Sequence, residues 1–163
     1  MGQKLGGLQM IIRRAEERDI AALLSIEREC ITPPWSEGLM LAELFNDDTL
    51  FLVAQDGAEL IGFAVLRKSV DAAELFRIAV TATARRRGIG RRLLSEIIDT
   101  AESDGMRRFY LEVRALNAAA IALYKSFDFI TVGHRRNYYD APVEDAIVMK
   151  RGLEVIDREG TKC

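Results

Sequence analysis

Cysteine, histidine and tryptophan are scarce in this chain: two cysteines, one histidine and one tryptophan in 163 residues. Cys30 and Cys163 stand far apart, so no disulfide framework is expected, and a reducing, cytoplasmic setting is the natural one. One histidine, His134, without a closely spaced cysteine pair does not make a zinc ligand set, so no metal is expected. No apolar run of membrane-spanning length follows residues 1–7. Position 6 is Gly6 rather than Ser or Thr, which argues against myristoylation, so no signal peptide, membrane span or lipid anchor is expected. A charge excess is also missing. With 23 Lys+Arg against 25 Asp+Glu the formal charge is −2, which gives no general drive toward nucleic acid.

Hydrophobic residues are plentiful, at 49%. That is enough for one domain with its own core, expected over residues 8–151, with residues 1–7 and 152–163 as flexible tails. Residues 10–13 read as a strand. Ile20, Leu23, Leu24 and Ile26 recur at helical spacing within 16–28. Pro33-Pro34 breaks the chain, and Ser36 is placed to cap a second helix over 37–45. Residues 50–54, 60–66 and 73–80 read as strands, the first two joined as a hairpin across Gln55-Asp56-Gly57. Leu93, Leu94, Ile97, Ile98 and Ala101 line one face of a helix over 88–103. A strand over 108–113, a helix capped by Asn117 and running to Ser126, and strands over 129–132 and 146–150 complete the pattern. Residues 135–142 read as loop or bulge. The order predicts a mixed α/β (α+β) fold, a sheet of about seven largely antiparallel strands with helices on both faces.

The charge is unevenly placed. Arg85-Arg86-Arg87-Gly88-Ile89-Gly90-Arg91-Arg92 sits between a strand and a helix. Glycines there allow close backbone approach or positive φ, and free N–H groups at a helix start favour anions. The segment lacks the Gly-Lys-Ser/Thr of a nucleoside-triphosphate loop and the third glycine of a dinucleotide turn, since Leu93 stands there. A solvated basic surface remains the plainer reading of the arginines by themselves.

Glu112 lies between Leu111 and Val113, so alternation turns it to the opposite face of its strand. A carboxylate there is either functional or paired, with Arg114 the partner on the same face. Tyr124 has two readings as well, an acid-base group or one more member of an apolar stripe with Ile121 and Phe127. Trp35, after Pro34, either anchors the second helix or borders a substrate mouth. Cys30 reads as structural, and His134 as a surface residue.

Arg85-x-x-Gly88-x-Gly90 resembles the acetyl-CoA signature of the Gcn5-related N-acetyltransferases (GNAT). Leu111-Glu112-Val113-Arg114-Ala115-x-Asn117-x-x-Ala120-x-x-Leu123-Tyr124 is similar to the bacterial ribosomal-protein-alanine N-acetyltransferase (RimI-like) subgroup. So are Pro34-Trp35-Ser36, Arg135-Arg136-Asn137-Tyr138-Tyr139 and Glu144-Asp145-Ala146. The resemblance spans about residues 9 to 151. It departs from the family at Asp128, where Gly is usual, and at Leu116, where the subgroup often carries Ser.

The resemblance implies a GNAT fold with a splayed parallel strand pair and acetyl-CoA as co-substrate. The pantetheine arm would lie along the backbone of Ile78, Ala79 and Val80. The pyrophosphate would sit on the turn from Arg85 through Arg86, Arg87, Gly88, Ile89 and Gly90 to Arg91, and Asn117 would contact the cofactor. Glu112 would be the general base and Tyr124 the acid that protonates the CoA thiolate. Trp35, Tyr138 and Tyr139 would line the acceptor groove, with Tyr139 favoured over Tyr138 for peptide backbone. The implied acceptor is the α-amine of a protein N-terminus, with the N-terminal alanine of a ribosomal protein as a candidate. The alternatives are acetylation of an internal lysine, polyamine or small amine, and a non-catalytic acyl-CoA-binding regulatory module.

Overall fold

A computed structural model describes residues 10–152. The expectations for residues 1–7 and 153–163 lie outside the described residues. Gly152, placed by the sequence in the tail, is instead the last residue of a strand.

Seven strands form one sheet: β1 (Met10–Arg14), β2 (Thr49–Asp56), β3 (Glu59–Lys68), β4 (Ala72–Val80), β5 (Arg108–Arg114), β6 (Ile130–Asp140) and β7 (Val143–Gly152). Their order is β1-β2-β3-β4-β5-β7-β6. Every junction is antiparallel except β4–β5. The helices are α1 (Ile20–Cys30), α2 (Glu37–Leu44), α3 (Ile89–Ser103) and α4 (Ala118–Ser126).

The helices form where stripes and caps direct them. In α3 the stripe Leu93, Leu94, Ile97, Ile98 and Ala101 is buried against Leu52, Ala64, Leu75 and Leu111. On the other face α1 and α2 bury Leu23, Ile26 and Met40 against Phe51, Val53, Phe63 and Val65. Ser36 accepts the Leu39 amide at 3.2 Å, and Asn117 accepts the Ala120 amide at 3.1 Å, as N-caps do. Asp128 adopts φ +65°, the left-handed geometry that a helix end asks of it.

Two features position the site. First, β3 and β4 shift register so that Arg77 faces Val65 and Leu75 faces Leu66, with Phe76 in excess. This bulge turns Phe76 and Arg77 to the same side, toward α1 and α2, whereas simple alternation would separate them. Second, the parallel junction is short. Ala72 to Leu75 pair with Arg108 to Leu111, and beyond Leu75 the two strands part.

One element differs from the sequence expectation. Residues 135–140 continue β6 up to a turn at Ala141-Pro142. The strand is irregular, with register shifts on both sides of Gly133–Arg135 and Asn137 at φ +51°. Its pairing with β7 holds it extended.

Candidate active site

The parting of β4 and β5 divides the candidate residues between two faces. On the α3 face lie the arginine–glycine turn, Asn117 and Tyr124. On the α1–α2 face lie Trp35, Glu112, Tyr138 and Tyr139. The sequence did not predict this division.

Gly88 is the N-cap of α3, with φ +74°, no side-chain cap and no acidic residue in the first turn. The first amides of α3 therefore have no side-chain acceptor, and open space lies over Gly88. Arg86 also has positive φ, +65°, costly for a side-chain-bearing residue. Gly90 is ordinarily helical, and a Cβ there would only touch Leu123 and Val80 at 3.8 Å. The Ile89 side chain is buried in the core, leaving its backbone to the turn.

The arginines are not equivalent. Arg85 donates from Nε to the Val80 carbonyl at 3.1 Å, and the Cys30 thiol donates to the same oxygen at 3.4 Å. Cys30 thus joins α1 to the end of β4, and burial pushes its thiol pKa up. Arg91 donates to Ser126 Oγ at 3.1 Å and lies over the Phe127 ring. Arg86 and Arg87 are exposed.

Tyr124 is 5% exposed and packs against Phe129, ring centroids 5.9 Å apart, beside Ile121 and Phe127. The packing reading of this residue is therefore met. Burial, reinforced by nearby Tyr139, pushes its phenol pKa far up, so it remains a proton donor throughout the neutral range.

On the α1–α2 face Glu112 pairs with Arg135, Oε1 to Nε 3.1 Å, and not with Arg114 as its place in the strand suggested. The neighbouring Glu112 carboxylate pushes the Tyr138 pKa up. Tyr138 and Tyr139 meet edge to face at 5.1 Å. Burial, with the Glu112 charge adding to it, raises Tyr139. Trp35 anchors its loop to the core and also faces open space. It packs edge-on against Phe76 at 6.4 Å, under the Arg77 guanidinium at 4.4 Å, and it lines a cavity.

That cavity, about 370 Å³, is bounded by Trp35, Glu74, Arg77, Glu112, Tyr138 and Tyr139. A second, about 360 Å³, adjoins it across Glu74, Phe76 and Glu112 and reaches Tyr110 and Arg135. Sequence reasoning passed over Glu74 and Arg77. Burial, then the nearby Glu112, raises the Glu74 carboxyl pKa. Arg77 donates from Nε to Glu27 at 3.0 Å, and Glu27, fully buried, also accepts the Trp35 amide at 3.0 Å. A charged residue inside the apolar run of β4 was the available signal for both. His134, exposed as expected, pairs with Asp145 at 2.7 Å.

Among the described residues no cluster of three or more His, Cys, Asp or Glu side chains is arranged to hold a metal ion, and no helix is long and apolar enough to cross a membrane.

A mixed seven-stranded sheet that opens at its one parallel junction, with a glycine-started helix at the mouth, defines an N-acetyltransferase fold. The chain belongs to the Acetyltransferase (GNAT) family, whose pattern matches residues 20–129, and it is an acyl-CoA-dependent acetyltransferase. Within the family it groups with the bacterial ribosomal-protein-alanine N-acetyltransferases. It is 41% identical over 140 residues to the [Ribosomal protein bS18]-alanine N-acetyltransferase of Escherichia coli K12, covering 85% of this chain and 94% of that protein. It is 38% identical over 122 residues to the N-alpha-acetyltransferase RimI of Mycobacterium tuberculosis, covering 72% and 75%. The crystal structure of the ribosomal-protein-S18-alanine N-acetyltransferase from Escherichia coli superimposes with a TM-score of 0.83 at 37% identity, covering 89% of this chain and 94% of that one.

Proposed function

We propose that this enzyme transfers acetyl from acetyl-CoA directly to the α-amino group of a protein N-terminus, with a ribosomal protein's terminal alanine as the first candidate. The observation that carries the reading is the placement of Glu112 and Tyr124 on opposite faces of the sheet where β4 and β5 part. The relatives' named activities give the acceptor its direction.

In this reading acetyl-CoA enters from the α3 face. Its pantetheine lies along the backbone of Ile78, Ala79 and Val80, its pyrophosphate on the turn from Arg85 to Arg91, and Asn117 flanks it. The acceptor amine comes from the cavity walled by Trp35, Tyr138 and Tyr139. With Tyr138 neighbouring Glu112, Tyr139 is the better placed to meet peptide backbone.

The chemistry is one displacement. An N-terminal ammonium has a reference pKa of about 7.7 to 8.0, so it loses its proton easily, to Glu112 or to a water that Glu112 orients. The free amine attacks the thioester carbonyl, the C–N bond forms, and the C–S bond breaks. Tyr124, kept protonated by burial, gives its proton to the departing thiolate, and the surplus proton on the acylated nitrogen leaves by way of solvent and restores the phenol. A lysine, near 10.4, would need about two pKa units more help.

The test is turnover of acetyl-CoA against short peptides varied in their first two residues, beside N-terminally blocked lysine peptides and spermidine. Preference for free N-termini, led by alanine, is the expected result. Turnover confined to blocked lysine peptides or spermidine would overturn the acceptor assignment, and acetyl-CoA binding without turnover of any amine would favour a regulatory module.

A further inference from the structure

Arg114 ends β5, two residues beyond Glu112 and on the same face. Its guanidinium is not spent on Glu112. It collects carbonyl oxygens from two loops far apart in sequence. Nη2 donates to the Thr32 carbonyl at 2.7 Å and to the Ala141 carbonyl at 3.3 Å, and Nη1 donates to the Pro142 carbonyl at 3.2 Å. The Glu144 carboxylate lies 3.5 Å from Nη1, and its other oxygen accepts the Leu116 amide at 3.0 Å. Beneath the fork, 4.2 Å from the guanidinium carbon, is the ring of Tyr139.

Thr32 belongs to the α1–α2 loop that carries Trp35. Ala141 and Pro142 form the β6–β7 turn that follows Tyr138 and Tyr139. Leu116 lies in the β5–α4 loop just before Asn117. One side chain thus ties both walls of the cavity to the strand that carries Glu112.

We propose that Arg114 is a positioning residue for the acceptor, a cross-tie that fixes the separation of the two cavity walls and the tilt of Tyr139. The proposal rests on the acceptor-side reading above. A planar fork of five donors can serve several carbonyls at once, whereas a lysine is a point charge on a flexible stem. Hydrogen bonds from a charged donor are among the stronger ones, and carbonyls in two loops that lack ladder partners gain the most from them. Because the tie is made to backbone oxygens, it sets the loops' paths and leaves their side chains free for the acceptor.

The test uses Arg114→Ala and Arg114→Lys with acetyl-CoA, an acceptor that the parent enzyme turns over, and hydrogen exchange on the unliganded protein. KM for the acceptor should rise about tenfold or more in Arg114→Ala and less in Arg114→Lys, while KM for acetyl-CoA moves by less than about twofold. Added methylguanidinium should recover part of the loss in Arg114→Ala only. Exchange should quicken together in residues 31–36 and 141–144, with 109–113 still protected. An unchanged acceptor KM, an equal rise in both KM values, or loosening of one loop alone would overturn the proposal. Failure of the parent enzyme on every free N-terminus would sink the α-amine reading instead. The same KM ratios would then be read with the amine it does accept, and the exchange measurement needs no acceptor. If Arg114→Ala does not fold, Arg114→Lys carries both readouts.

Discussion

In the proposed mechanism Glu112 takes a proton and Tyr124 gives one, and the two sit in unlike surroundings. Glu112 lines the cavity, paired with Arg135 and partly reached by solvent. Tyr124 is buried, and burial keeps its proton in place across the neutral range. Glu112→Gln should lower kcat/KM by about 10²-fold near neutrality and by less at high pH, as the amine deprotonates itself. Equal pH profiles for variant and parent between about pH 6 and 9 would remove Glu112 as the base. Tyr124→Phe should lower turnover while leaving acetyl-CoA affinity, measured by calorimetry, nearly intact. It also has a stability signature. Tyr124 binds its proton more tightly folded than unfolded, so its contribution is complete below about pH 10 and declines above it as the unfolded chain ionises. The Tm of Tyr124→Phe should therefore fall less steeply than the parent's above that pH.

Most of the elements were legible because their residues alternate or stripe strongly. The α3 stripe and the caps Ser36 and Asn117 are examples. β6 was not legible beyond Val132. His134 to Asp140 are polar and largely exposed, so no period marks them, and only pairing with β7 makes them a strand. The bulge at Phe76 leaves no compositional trace either, although it decides which face Arg77 serves. For the site, the motif residues could be named from sequence, but their division between two faces could not. The partners of Arg114 are backbone carbonyls, which every residue has, so no string of letters announces them. Gly62 shows a constraint of the same hidden kind. A Cβ there would lie 2.8 Å from the Ala79 carbonyl, in the strand that would accompany pantetheine. Gly62→Ala should cost about 1–3 kcal/mol in thermal or denaturant unfolding and push β4 outward.

At the scale of the whole molecule, acid should find one weak point early. The Asp19 carboxylate receives both Nη atoms of Arg13 at 2.8 Å and the Glu16 amide at 2.8 Å, pinning edge strand β1 to the start of α1. The Arg13 hydrogen bonds hold the Asp19 pKa below its usual value. Folded, it releases its proton more readily than unfolded, so its stabilisation is present above about pH 4 and is lost as pH falls further. Asp19→Asn should lower Tm at pH 7 and flatten its decline between about pH 5 and 2. The short β4–β5 junction has a mechanical meaning. The sheet is two antiparallel plates, β1–β4 and β5–β7, joined along four residue pairs that end at Leu75 and Leu111. That junction is the shortest in the sheet, and a ligand lodged in the wedge would brace it as a shim braces a joint. In the proposed binding mode CoA and acetyl-CoA differ only at the tip, so the product would brace the wedge as the substrate does, and it has to leave before the next thioester can enter.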